Sequence, residues 1–368
     1  MTASFSNDLA WMQKHMPRTR RAVANLPNMT GVRLACSVHL ENKTLLLFEA
    51  LLERGAELFL TTCNPTTVRD DMVAYLQSRG AAAEAQLNQS PAQSQHAIQS
   101  ALAWEPTHLF EMGADLTFAL HQRNAPTTVR ASLECTGSGI SRLPETSLPY
   151  PVFNCDDLPI KEGLHNRHMV GLTTWQAFFE RTRLSLHEKR VLVIGFGLVG
   201  RGVADAARAF GGTVCVAEQD AARALEAAYA GWPVKSLNAA LPEADVVVTA
   251  TGGTHVLGAE QFASLSDGAF ILNVGHRADE IDLEALRKHP HESVLPFIEA
   301  FQLPNKTIYL FAGGSMANLT AGQGDSLNSF DLTLAVLTAG IRYLVTDGET
   351  FAPGVHLLPR AVWERGLV

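Results

Sequence analysis

The sequence predicts an α/β chain with two doubly wound parallel-sheet domains separated by a cleft, and three observations carry that prediction. Short apolar strands alternate with helical stretches from residue 31 onward, and a second such series opens at Arg190. A glycine-rich turn follows the first strand of that second series. Strands that alternate with helices are joined by crossovers, so they run parallel and both faces of their sheet are covered. The chain has 368 residues, enough for two domains that each bury a core.

In the first series, VRLACSVHL, ELFLTTC, HLFEMG and YPVFN read as strands. KTLLLFEALLERG has helical spacing and ends on a glycine suited to a helix C-terminus. In the second series, RVLVIG, TVCVAE, DVVVTA, AFILNVG and TIYLFAG read as strands. HMVGLTTWQAFFERTRL reads as a connecting helix, and residues 327–344 as a helix returning to the first domain. The expected division is therefore 1–166 with 327–368 for one domain and 167–326 for the other. Residues 84–100 read as surface helix rather than linker.

Composition narrows the function. A formal charge of −8 offers no extended phosphate-binding surface, so no nucleic-acid partner is expected, and Arg18, Arg20 and Arg21 read as solvated surface. No run of apolar residues is long enough to span a membrane, and Asp8 and Lys14 interrupt any secretory core. The five cysteines show no CxxC spacing and are odd in number, which suits free thiols in a reducing cytoplasm and no metal site.

RVLVIGFGLVGRG places G-x-G-x-x-G at Gly195, Gly197 and Gly200, with Leu198 and Val199 between, after a strand and before a helix-forming run. That is the context of a Rossmann-like dinucleotide site. The first glycine permits the turn, the second lets a pyrophosphate approach the backbone, and the third lets helix and strand pack closely. The next strand ends in Glu218, 18 residues beyond Gly200. A carboxylate there accepts from both ribose hydroxyls and repels a 2′-phosphate, so the expected cofactor is NAD.

Further segments fall into one pattern. ACSVHLENKT, TTCNPTTVRDD, GADLT, NCDDLPIKEGLHNR, ATGGTHVLG, NVGHRADEID, FAGGSMANLTAG and GVHLLP resemble, in that order, the S-adenosylhomocysteine hydrolase family. HLE-x-KT resembles the shorter branch common in archaea and thermophiles. Like that branch, the chain lacks the Lys/Tyr tail with which longer members reach a neighbouring subunit. The resemblance implies a homo-oligomer, dimer or tetramer, and a small nucleoside-type substrate. It also implies an NAD that stays bound. The 3′-hydroxyl is oxidised, the C4′ proton becomes acidic, homocysteine is eliminated, water adds at C5′ and the ketone is reduced back.

By the same resemblance, His39 serves acid–base work at C5′, Lys161 accepts the 3′-hydroxyl proton, and Asn166 lies beside the nicotinamide. His276 and Asn318 line the substrate and cofactor cleft. Thr136, Ser138, Thr251, Gly252, Asn273 and Gly275 stand at further cofactor positions.

The departures matter as much. The family's DDGADL is EMGADL here, placing Met112 at an aspartate, and EETTTG is ECTGSG, placing Cys135 at a glutamate and Gly137 in the threonine run. His165 replaces an aspartate, and Asp325 stands where the family has a histidine. Ribose hydroxyls held by carboxylates gain about 1.5–3 kcal/mol per charge-assisted bond, and methionine offers almost none of it. Glu111 and Glu134 stand one residue away, but neighbours on a strand point to opposite faces. His165 and Asp325 read as an exchanged pair, and Cys135 as either an added nucleophile or a buried small side chain. Three functions stay open: a nucleoside thioether hydrolase or lyase, an NAD-dependent oxidoreductase on another hydroxylated metabolite, and a catalytically silent NAD-binding homologue.

Overall fold

The structure is a computed structural model that describes residues 3–123, 126–143, 148–275 and 278–367. The chain divides into two compact units, Met1–Lys161 with Leu327–Val368, and Glu162–Ser326. The first border falls after Lys161 rather than after Asn166.

The first unit is built on β1 (Arg33–Val38), β2 (Glu57–Thr62), β3 (Ala82–Ala83), β4 (His108–Glu111), β5 (Ala131–Glu134), β6 (Pro151–Asn154) and a last strand, Gly354–Leu357. Their order is Gly354–Leu357, β6, β5, β4, β1, β2, β3, and every pair is parallel. Alternation along each strand feeds two cores. Leu34, Cys36 and Val38 point to one face with Phe153, while Ala35 points to the other with Leu109 and Val152. Helices Leu45–Glu53 and Leu327–Thr346 cover the first face. The second of these is long and apolar enough to cross a membrane by length and composition, yet its Leu334, Leu337 and Ile341 are fully buried in this core. From β1 and β4 the strand order proceeds in opposite directions, so the carboxyl ends of these two neighbours form the crevice where such sheets bind ligands.

The second unit contains β7 (Arg190–Ile194), β8 (Thr213–Ala217), β9 (Val246–Thr249), β10 (Phe270–Asn273), β11 (His291–Leu295), β12 (Ile298–Leu303) and β13 (Lys306–Phe311). Their order is β11, β12, β13, β10, β9, β7, β8. The sheet is parallel from β13 to β8, and at its other edge β12 runs antiparallel to both β13 and β11. β11 is exposed throughout, so no apolar alternation marked it, and Asn305 in the β12–β13 turn takes φ 67°. Helix Val170–Thr182 packs on helix Leu198–Ala209, with Trp175 Nε1 donating to Val203 O at 3.0 Å. Gly171 and Gly202 let the two backbones meet, because a Cβ on Gly171 would lie 2.4 Å from the Gly202 carbonyl.

Candidate active site

In the second unit the glycine-rich turn joins β7 to helix Leu198–Ala209. Gly195 takes φ +94°, and a Cβ on Gly200 would lie 2.0 Å from Gly195 O, so neither position accepts a side chain. Gly197 differs, because a Cβ there would meet nothing within 4 Å. Its bare backbone is the open face of the turn. Gly197 also caps the helix without a side-chain bond, which leaves the first amides of Leu198, Val199 and Gly200 for an anionic ligand. Glu218, just past β8, accepts from Phe196 N at 2.6 Å and from Asp220 N at 2.9 Å. Its carboxylate is thus fixed against the turn.

Two loops at the neighbouring strand ends are tied internally. Buried Glu280, which sequence reasoning did not single out, accepts from Thr251 N at 3.0 Å, Thr251 Oγ1 at 2.7 Å and Gly252 N at 2.9 Å. Gly275 leaves room for that carboxylate, since a Cβ there would lie 1.9 Å from Glu280 Oε1. Asn273 is fully buried, accepts from Gly275 N at 2.8 Å and donates to Gly314 O at 3.1 Å. Thr251, Gly252, Asn273 and Gly275 therefore shape the loops, with much of their polarity already spent. Asn318 Nδ2 reaches Thr173 Oγ1 at 3.5 Å, while its buried Oδ1 has no hydrogen-bond partner among the described residues. His276 lies outside the described residues.

His165 and Asn166 sit on a π-helix, Lys161–Met169. His165 Nδ1 lies 2.7 Å from Asp325 Oδ2, so the two exchanged residues meet. Arg167 pairs with Asp205 on helix Leu198–Ala209.

In the first unit, His39 follows β1, and its Nδ1 lies 2.9 Å from Thr67 Oγ1. That hydroxyl donates to Asn64 O at 2.8 Å, so it accepts from the ring. In the neutral ring this contact places the proton on Nδ1 and the lone pair on Nε2. Beside it, Glu41 and mostly buried Lys43 form an ion pair at 3.1 Å. Lys161 Nζ donates to Asp156 Oδ1 at 3.0 Å. Asp156 in turn explains Gly137, since a Cβ at 137 would lie 2.8 Å from Asp156 Oδ2.

The two glutamates next to the departures accept from backbone amides of their own loops. Register sets Glu111 opposite Glu134, and both are buried. Glu111 accepts from Leu116 N at 2.7 Å and Thr117 N at 3.2 Å. Glu134 accepts from Gly113 N at 3.0 Å, Ala114 N at 2.8 Å and Thr136 N at 2.8 Å. Burial, and then the charge of Glu134, pushes Glu111 up to about 8. Burial pushes Glu134 up to about 7 against its several hydrogen bonds. Met112 lies in the apolar core. Cys135 is buried in the same core, where desolvation and then Cys155 push its thiol up, which favours the reading as a buried small side chain over the added nucleophile. Thr136 Oγ1 donates to Glu134 at 2.7 Å and accepts from Gly139 N at 3.1 Å, with Ser138 Oγ 3.3 Å away. These two side chains close their own turn.

Residues 8–139 match the family model described as S-adenosyl-L-homocysteine hydrolase, and residues 177–324 match the model of that enzyme's NAD-binding domain. An S-inosyl-L-homocysteine hydrolase of Methanopyrus kandleri is 31% identical over 97% of this chain and 87% of its own. The chain belongs to the S-adenosyl-L-homocysteine hydrolase family. An adenosylhomocysteinase of Thermotoga maritima is 32% identical over 96% of this chain and 91% of its own. A second S-inosyl-L-homocysteine hydrolase, from Methanothermobacter thermautotrophicus, is 33% identical over 95% and 87%.

The family's cofactor is NAD, and the residues present fit it. The open face of Gly197 and the uncapped helix start accommodate a pyrophosphate. Glu218 is already aimed at the turn, and the unsatisfied Oδ1 of Asn318 is a buried acceptor awaiting a donor.

Proposed function

We propose that this member of the S-adenosylhomocysteine hydrolase family cleaves a 5′-nucleosyl thioether of homocysteine through transient oxidation of the 3′-hydroxyl. The observation that carries the reading is an intact NAD turn, with Glu218 fixed against it, in a chain similar from end to end to thioether hydrolases. Bound NAD supplies a hydride acceptor that becomes a donor in the final step. Glu218 holds the ribose hydroxyls of the cofactor and excludes a 2′-phosphate. His39, with its lone pair on Nε2, moves the proton at C5′ as thiol leaves and water adds. Elimination becomes feasible only after the 3′-ketone acidifies C4′, so redox and acid–base groups work in sequence. We also propose that the protein works in the cytoplasm as a homo-oligomer.

The relatives act on adenosyl and on inosyl thioethers by name, and the two bases differ at one exocyclic group. The test is therefore thiol release from both compounds by NAD-loaded protein, followed with a thiol reagent. We expect homocysteine from at least one of them and no net NADH. Stoichiometric NADH without thiol favours an oxidoreductase and overturns the proposal.

A further inference from the structure

We propose that Glu280 is the positioning residue for the nicotinamide half of the cofactor, its buried carboxylate fixing the two loops on that side of the glycine turn. The inference rests on the family's NAD and not on which thioether is cleaved. Every residue it uses lies in the second unit.

The sheet order tells the two halves of the cofactor apart. β7 pairs with β8 on one side and with β9 on the other, so strand order reverses at the turn after β7. A dinucleotide crosses a doubly wound sheet at such a point. Glu218, past β8, is the acceptor for the adenosine ribose. The loops after β9 and β10 therefore face the nicotinamide half.

Glu280 is fully buried, and the loop after β9 occupies both of its oxygens. Oε2 accepts from Thr251 N at 3.0 Å and Thr251 Oγ1 at 2.7 Å, while Oε1 accepts from Gly252 N at 2.9 Å. Thr251 Oγ1 accepts in turn from Gly253 N at 3.0 Å. Backbone bonds continue the seam. His255 N donates to Asp279 O at 2.7 Å, Leu257 N to Glu280 O at 3.1 Å and Asp282 N to Leu257 O at 2.9 Å. At its other end the same loop packs on the cofactor turn, since a Cβ on Gly195 would lie 2.7 Å from Ala250 O and 3.1 Å from Thr251 Cγ2.

The loop after β10 is set by exclusion. Gly275 lies outside the left-handed region, so its backbone would accept a side chain, and what forbids one is Glu280 Oε1 at 1.9 Å. Asn273 holds Gly275 from the other direction, accepting from its N at 2.8 Å. One carboxylate thus shapes one loop by accepting its donors and the next by filling the space of a missing Cβ. The strands do not need it, because β9 and β10 pair from Val246 with Phe270 to Thr249 with Asn273. Glutamine has the same size, but its amide has one acceptor oxygen and a nitrogen that only donates. In place of Glu280 it sets a donor against a donor of the loop.

The experiment measures by calorimetry the affinity of the full chain for NAD and for ADP, which carries the adenosine and pyrophosphate alone. Glu280→Gln should weaken NAD by about tenfold or more and leave ADP within about threefold. ADP binding also shows that the variant is folded. Gly275→Ala should weaken NAD by about tenfold or more in the unmodified chain, yet by less than about twofold in a Glu280→Ala background, because the atom it strikes is gone. Unchanged NAD affinity in Glu280→Gln overturns the proposal. Equal weakening of NAD and ADP also overturns it, since that is what a merely structural carboxylate does. So does a Gly275→Ala penalty that persists in Glu280→Ala. None of these outcomes touches the hydrolase reading, which thiol release tests separately.

Discussion

The cofactor turn of the second unit and the carboxylate pair of the first handle polar groups in opposite ways. At the turn, Gly197 leaves its backbone bare and the helix start is uncapped, while Asn318 Oδ1 waits unsatisfied. Polar capacity is held in reserve for a ligand. Around β4 and β5, Glu111 and Glu134 spend their oxygens on five backbone amides, and Met112 and Cys135 at the neighbouring positions offer apolar surface. There the polar capacity holds loops together. The comparison teaches that retained chemistry is recognised by unsatisfied groups with a fixed geometry, not by the presence of carboxylates near a family position.

The sharpest way to break the comparison is at the turn itself. Gly200→Ala forces a Cβ to within 2.0 Å of Gly195 O, which is backbone and cannot rotate away. NAD affinity by calorimetry should fall by about 100-fold or more, equivalent to roughly 3 kcal/mol, while circular dichroism shows the fold retained. Unchanged affinity would mean that this turn does not hold the cofactor.

Glu218→Ala should have the next largest effect. It removes the ribose acceptor, so NAD should bind about tenfold more weakly, while the preference over NADP narrows as repulsion of the 2′-phosphate is lost. Competitive binding of the two cofactors to both proteins measures this directly.

The carboxylate pair is probed by pH. An acid raised from the ordinary range near 4 to about 8 or about 7 holds its proton more tightly folded than unfolded. Its contribution to stability is full below the ordinary range and is lost as pH rises through 7 to 8. The unfolding free energy from denaturant titration should fall by several kcal/mol between pH 5 and pH 9, and Glu111→Gln should flatten that slope. A slope that Glu111→Gln leaves intact would remove these carboxylates from the explanation.

Cys135→Ala should have the smallest effect. A buried thiol that packs rather than reacts should cost about 1 kcal/mol of stability and leave thiol release unchanged within about twofold. Loss of activity with stability intact would restore it as a nucleophile.

Much of this was legible before any coordinates. Apolar runs disclosed β1, β2, β4 and β6 and, in the second unit, β7, β8, β9, β10 and β13, because parallel strands buried on both faces read as such runs, whereas β11 and β12 went unread. β5 was missed because serine and glutamate break up its apolar residues, and the last strand because it is only half-buried. At the site, the glycine spacing disclosed the turn, since steric exclusion of side chains leaves a mark on sequence. Glu280 and Asp156 left no such mark. Their importance lies in which amides and ammonium they meet across 5 to 29 residues of sequence, and in Gly275 and Gly137, whose missing side chains make room for them. The contact between His165 and Asp325 spans two segments 160 residues apart, and only the fold joins them.

The central claim is that the cofactor half of the machinery is intact while the grip on the nucleoside has changed. Steady-state homocysteine release from S-adenosylhomocysteine, by protein shown to be saturated with NAD, tests it most directly. The account predicts full cofactor occupancy with turnover below about 1 per second, under the ordinary enzyme range. Turnover well inside that range, at about 10 per second or more, would show that Met112 and Cys135 have cost the site nothing and would contradict the account.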